Sequence, residues 1–125
     1  MENIFKSIDE LKITIENKTK PIIVLVSGSK DKNNYSWCPD CNKAEDTIQK
    51  VKDIHNNNCI IYEFYVERNF WKDKDNIYRK ANFLKVSCLP TLVFYKEGYE
   101  YFRFKESELF DQTAVLNSIK DALDN

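Results

Sequence analysis

The chain has 125 residues, a length that fits a single domain spanning 1–125 and leaves no room for a second. With 42% hydrophobic and 14% aromatic residues it can build a core that depends on neither disulfides nor a metal. Lys and Arg number 19 against 20 Asp and Glu, for a net charge of −1, so no nucleic-acid partner and no anionic membrane partner is implied. The N-terminal stretch Met1-Glu2-Asn3-Ile4-Phe5-Lys6 has no long apolar run, so neither a signal peptide nor an anchor is expected. The apolar run Ile22 to Val26 is far too short to span a bilayer. The expectation is a cytoplasmic, reducing location. There, 4 cysteines read as catalytic, metal-binding or core residues rather than as staples.

In chain order, a short strand is expected at Ile4 to Lys6. Ser7 and Glu10 form a capping box, and Ile8, Leu11 and Ile15 recur at helical spacing, which predicts a helix over about 8–18. Ile22-Ile23-Val24-Leu25-Val26 reads as a strand buried on both faces and ends at Gly28. Residues 29–36 form a polar loop. A helix follows from about 39, with Pro39 in its first turn and Ala44, Ile48 and Val51 buried. Ile60 to Val66 is the next strand. Asp75 is the expected cap of a helix carrying Ile77, Ala81 and Leu84. Leu92 to Tyr95 and Tyr99 to Phe104 flank Lys96-Glu97-Gly98 as an antiparallel hairpin. Asp111 caps a last helix with Val115, Leu116, Ile119 and Leu123 inward. The resulting β-α-β-α-β-α-β-β-α order predicts an α/β fold, a central mixed sheet flanked by helices on both faces.

The chemistry is carried by Trp37-Cys38-Pro39-Asp40-Cys41. A C-x-x-C pair is a redox centre or half of a zinc site, and here it follows a buried strand and opens a helix. The first thiol then lies at the positive end of the helix dipole, which favours the thiolate. Cys38 is accordingly the attacking thiol and Cys41 the resolving one, closing a reversible Cys38–Cys41 disulfide. Pro39 stiffens the turn, and Trp37 offers an apolar docking surface. Zinc is not expected, because the remaining cysteines follow at gaps of 17 and 28 residues and form no second short pair.

Further segments extend the pattern: Ser27-Gly28-Ser29-Lys30-Asp31, Ser36 through Cys41 with Ala44-Glu45, Trp71-Lys72-Asp73, and Leu84-Lys85-Val86 through Leu89-Pro90-Thr91. With these the sequence resembles the thioredoxin domain-containing protein 17 family, thioredoxin-related proteins with a Trp-Cys-Pro-Asp-Cys site, in the thioredoxin superfamily. The resemblance implies a thioredoxin fold in which Pro90 is cis and, with Leu89, faces the redox pair as part of the substrate-binding surface. It implies a cytosolic thiol–disulfide oxidoreductase, a thioredoxin-like protein-disulfide reductase with no bound cofactor. Electrons would come from NADPH through thioredoxin reductase as partner. The substrates would be small disulfides such as cystine and selected oxidised proteins. The longer loop at 29–36 and the Trp71 loop would reshape the docking surface, in keeping with a narrower specificity.

One departure is Cys88, two residues before Pro90, where a small residue is expected; it is the candidate regulatory thiol. Thioredoxins also carry a buried Asp in the strand before the motif, and this strand has only Ile, Val and Leu there. Asp40 and Glu63 are the possible substitutes, as modulators of the pair. The charge of Asp40 complements a helix start and opposes a nearby thiolate, so its net sign is open. Cys59 reads as a buried apolar residue and His55 as a surface one. The chain is expected to be a monomer. Two other functions compete: a redox-regulated interaction module with little turnover, and weak peroxide reduction.

Overall fold

The computed structural model describes residues 4–124; Met1–Asn3, part of the stretch read above for a leader, lie outside them. The elements run α1 (Ile4–Asn17), β1 (Ile22–Gly28), α2 (Pro39–Lys43), α3 (Glu45–His55), β2 (Ile60–Val66), α4 (Arg68–Lys72), α5 (Ile77–Lys80), β3 (Thr91–Lys96), β4 (Tyr99–Lys105), a 3-10 turn (Glu106–Phe110) and α6 (Gln112–Asp124). The sheet order is β2-β1-β3-β4. β1 pairs with β2 in parallel and with β3 antiparallel, and β3 pairs antiparallel with β4. No helix among the described residues is long and apolar enough to cross a membrane.

The sheet is mixed and carries helices on both faces, as expected. Alternation along β1 explains why its run is apolar throughout. Ile22, Val24 and Val26 enter one core with Ile8, Leu11 and Ile15 of α1, while Ile23 and Leu25 enter the other with Ile48 and Val51 of α3 and Val115 and Ile119 of α6. Both thiols of the C-x-x-C pair belong to the α1 side. The β3–β4 hairpin turns through Glu97 at φ 56° and Gly98 at φ 85°, both in the left-handed region that a tight two-residue turn demands.

Several expectations fail locally. Ile4–Lys6 is helical, because the spacing of Ile8, Leu11 and Ile15 carries back one turn; Ser7 therefore lies inside α1 and is not its cap. The helix after Pro39 is broken at Ala44 (φ −87°, ψ −5°), although Ala44 N–H still donates to Asp40 O at 3.0 Å and Ile48 N–H to Ala44 O at 3.0 Å. Neither glycine nor proline marks the break. The cap of α5 is Asn76, whose Oδ1 accepts from Arg79 N–H at 3.1 Å, and not Asp75, which pairs with Lys80 at 3.2 Å. That helix is one turn long, and Ala81 already closes it. His55 is buried, not on the surface: the turn from Asn56 to Cys59 folds over it, and its Nδ1 meets Asn58 Oδ1 at 3.2 Å.

Candidate active site

The redox pair sits where β1 ends. Cys38 is the N-cap of α2 in extended backbone, and Pro39 fills the first helical position, where a missing N–H costs nothing. Cys41 N–H donates to Cys38 Sγ at 3.2 Å. Gly28 N–H donates to Cys41 Sγ at 3.3 Å. The two sulfurs are thus held by amides from different elements, α2 for the first and β1 for the second. Cys38 is 6% exposed and Cys41 3%, so a substrate reaches the first sulfur through a narrow opening. Both are free thiols.

The loop before the motif is fastened at several points. Ser36 N–H donates to Asn42 Oδ1 at 2.8 Å and Asn42 Nδ2 donates back to Ser36 O at 2.9 Å. Ser36 Oγ donates to Gly28 O at 2.9 Å and accepts from Cys38 N–H at 3.1 Å. Lys30 pairs with Glu45 at 2.8 Å, tying the loop to α3. The Trp37 indole N–H donates to Val66 O at 2.8 Å, which fixes the ring against the end of β2. Gly28 is needed for this closeness: a Cβ there would lie 2.7 Å from Ser36 Oγ and 2.9 Å from both Cys38 Cβ and Trp37 Cε2.

Across the pair, the Leu89–Pro90 bond is cis, and Leu89 O lies 3.8 Å from Cys38 Sγ. The side chains of Leu89 and Pro90 are buried, so this segment presents its backbone rather than an apolar side-chain surface. The exposed rim is Pro39, half-buried Trp37 and Tyr35, which is 66% exposed. Beside Trp37 opens a cleft of about 250 Å³ lined by Ser29, Lys30, Asp31, Tyr35, Ser36 and Trp37. In the segment after β2, the Arg79 guanidinium stacks on Trp71 at 3.7 Å, while Asn76 Nδ2 reaches the carbonyls of Phe70, Trp71 and Asp73.

Electrostatics divide the two thiols. The Cys38 pKa is lowered to about 7, first by the hydrogen bond from the Cys41 thiol, against burial, with a further contribution from Cys41 N–H. The amide at the helix start thus helps, but less than the partner thiol does. Asp40 acts both ways, and its charge, which raises the Cys38 pKa, outweighs its backbone hydrogen bond, which lowers it. Cys41 is pushed strongly up, by its hydrogen bond to Cys38 and by burial. Glu63 does not reach the pair: it is exposed and bonds Lys52 at 3.0 Å and Tyr65 OH at 2.9 Å. Cys88 is half-buried, Ser87 Oγ donates to its sulfur at 3.9 Å, and burial together with Glu106 raises its pKa. Cys59 is buried among the α3 and α6 side chains and raised to about 11 by that burial. Among the described residues no group of three or more His, Cys, Asp or Glu side chains could hold a metal ion.

The sequence did not single out Ser36, Asn42 and Tyr35 as site residues, and Gly28 entered only as a strand end and as part of the family pattern. A Ser two residues before a C-x-x-C and an Asn just after it carry no general signal. Their roles arise only when β1 and α2 meet.

The sequence model of the thioredoxin domain-containing protein 17-like thioredoxin domain matches residues 1–121. The chain belongs to that family. It is 40% identical over 81 residues to thioredoxin domain-containing protein 17 of Homo sapiens, covering 64% of this chain and 64% of that protein's length. The Danio rerio protein of the same name is 36% identical over 85 residues, 67% of this chain and 68% of that protein. Among solved structures, thioredoxin O2 of Arabidopsis thaliana superposes with a TM-score of 0.62 at 15% identity, over 90% of this chain and 86% of that one. Mitochondrial thioredoxin 3 of Saccharomyces cerevisiae does so with 0.62 at 17%, over 91% and 89%. The fold is the thioredoxin fold. The Cys38–Cys41 pair fits the C-x-x-C type of site.

Proposed function

We propose that the protein is a cytoplasmic disulfide reductase, with Cys38 as nucleophile and Cys41 as resolving thiol, that acts on small disulfides such as cystine and on selected oxidised proteins. The observation that carries this reading is the division of the thiols, one poised near neutral pH and one held protonated. Cys38 thiolate attacks one sulfur of the substrate and expels the other as a thiolate. Cys41 then attacks Cys38 Sγ, forming the Cys38–Cys41 disulfide and releasing the second thiol. Thioredoxin reductase restores the dithiol with electrons from NADPH. Trp37 and Pro39 supply the apolar contact, and the Leu89 carbonyl lies across from the attacking sulfur.

The cleft beside Trp37 supports a preference for small substrates. At about 250 Å³ it suits a small molecule better than a peptide. Turnover of cystine, glutathione disulfide and insulin, compared with thioredoxin reductase and NADPH present, tests the reading. Faster turnover of cystine than of insulin is expected. Insulin turning over faster, or no NADPH consumed with any of the three, would overturn it.

A further inference from the structure

β1 contributes no ionisable side chain to the pair, since residues 22–28 are Ile, Ile, Val, Leu, Val, Ser and Gly. Yet Cys41 must carry negative charge to attack, inside a core formed with Val24, Val26, Phe64, Val66 and Leu89. The titratable groups around it are few. Cys38 shares its turn, half-buried Asp40 lies between the two, and Tyr78 belongs to the same core. Glu63 of β2 is engaged elsewhere with Lys52. None of these is a buried carboxylate able to take the Cys41 proton.

What does touch Cys41 is a pair of neutral donors. Gly28 N–H already donates to Cys41 Sγ at 3.3 Å. Ser36 Oγ packs against the same glycine, bonding Gly28 O at 2.9 Å, and its hydroxyl lowers the Cys41 pKa. A hydroxyl proton turns about its C–O bond without moving the oxygen. The oxygen itself is fixed by Cys38 N–H at 3.1 Å, and the backbone of residue 36 by the two Asn42 bonds.

We propose that Ser36 O–H and Gly28 N–H form a two-donor cradle that receives the negative charge of Cys41 Sγ during resolution, with Asn42 as the positioning residue that holds Ser36 in place. The inference rests on the Cys38/Cys41 roles proposed above. In the mixed disulfide, Cys38 is bonded to substrate and no longer carries charge, so the chief influence holding Cys41 protonated is gone and burial remains. The Ser36 hydroxyl turns from Gly28 O to Cys41 Sγ and offsets that burial. Cys41 Sγ then attacks Cys38 Sγ, the Cys38–substrate bond breaks, and the proton given up by Cys41 ends on the leaving thiolate. One S–S bond forms and one breaks, so the step is balanced without an outside oxidant.

Reaction with 5,5′-dithiobis(2-nitrobenzoate) under stopped flow separates the steps, because the first nitrothiobenzoate reports attack by Cys38 and the second reports resolution by Cys41. Ser36→Ala should slow the second phase about tenfold and move its pH midpoint upward, with the first phase changed by less than about twofold. Ser36→Thr, which keeps the hydroxyl, should recover most of the loss. A second phase unchanged in Ser36→Ala, both phases falling together, or Ser36→Thr as slow as Ser36→Ala would overturn the cradle. If Ser36→Ala does not fold, Asn42→Ala serves instead. It leaves both thiols and the hydroxyl present and should selectively slow the second phase, and an unaltered second phase there also overturns the proposal. A first phase that persists in Cys38→Ala would instead refute the assignment of the attacker, a failure separate from that of the cradle.

Discussion

Cys38 and Cys41 are the same residue type three positions apart, and their surroundings give them opposite tendencies. A thiol whose pKa is lowered to about 7 gains thiolate as pH rises through that value. Alkylation of Cys38 by iodoacetamide should therefore climb between about pH 6 and 8 and then level, where an ordinary thiol of pKa about 8.5 is still rising. Peptide mapping should find Cys38 labelled before Cys41; a midpoint above about 8.5, or Cys41 labelled first, contradicts the account. Cys38→Ser should abolish disulfide reduction, and Cys41→Ser should accumulate mixed disulfides on Cys38, visible by intact mass. Gly28 makes a different demand, on space. Gly28→Ala places a methyl against Ser36, Cys38 and Trp37 at under 3 Å, so it should cost about 1–3 kcal/mol of stability in urea and slow turnover as well.

At the scale of elements, the site is a junction. β1 delivers Gly28, α2 delivers the thiols, and the 29–36 loop is tied back to α2 by Ser36 and Asn42 and to α3 by Lys30 and Glu45. The segment carrying Trp71 depends on Asn76, which caps α5 with its oxygen and gathers three carbonyls with its nitrogen while 4% exposed. Asn76→Ala should cost about 2–3 kcal/mol, because the buried carbonyls lose their donor together with the cap. Asp75→Ala should cost no more than about 0.5 kcal/mol, since its pair with Lys80 is exposed on both sides. Urea midpoints for the two variants decide the capping assignment; equal losses would contradict it.

For the molecule as a whole, the parts legible in the sequence were those governed by period and punctuation. The run Ile22 to Val26, the turn at Glu97-Gly98 and the Asp111 cap of α6, where Asp111 Oδ1 accepts from Ala114 N–H at 3.1 Å, all follow from local chemistry. Local chemistry misled where two neighbours offered the same signal, as Asp75 and Asn76 did, and where a tertiary turn buried a polar residue, as at His55. The C-x-x-C pair could be read because strand, thiol and helix start are adjacent in the chain. Ser36, Asn42 and the loss of Glu63 from the site could not, because they depend on which face of β2 looks toward α3 and on how the loop folds back. The claim on which the rest depends is that Cys38 and Cys41 pass two electrons to a disulfide while Cys59 and Cys88 stand aside. Reacting the reduced protein with one equivalent of cystine, quenching in acid and mapping the peptides tests it most directly. The account predicts a Cys38–Cys41 disulfide, two equivalents of cysteine, and Cys59 and Cys88 still alkylatable after denaturation; a disulfide through Cys59 or Cys88, or four thiols unchanged, would contradict it.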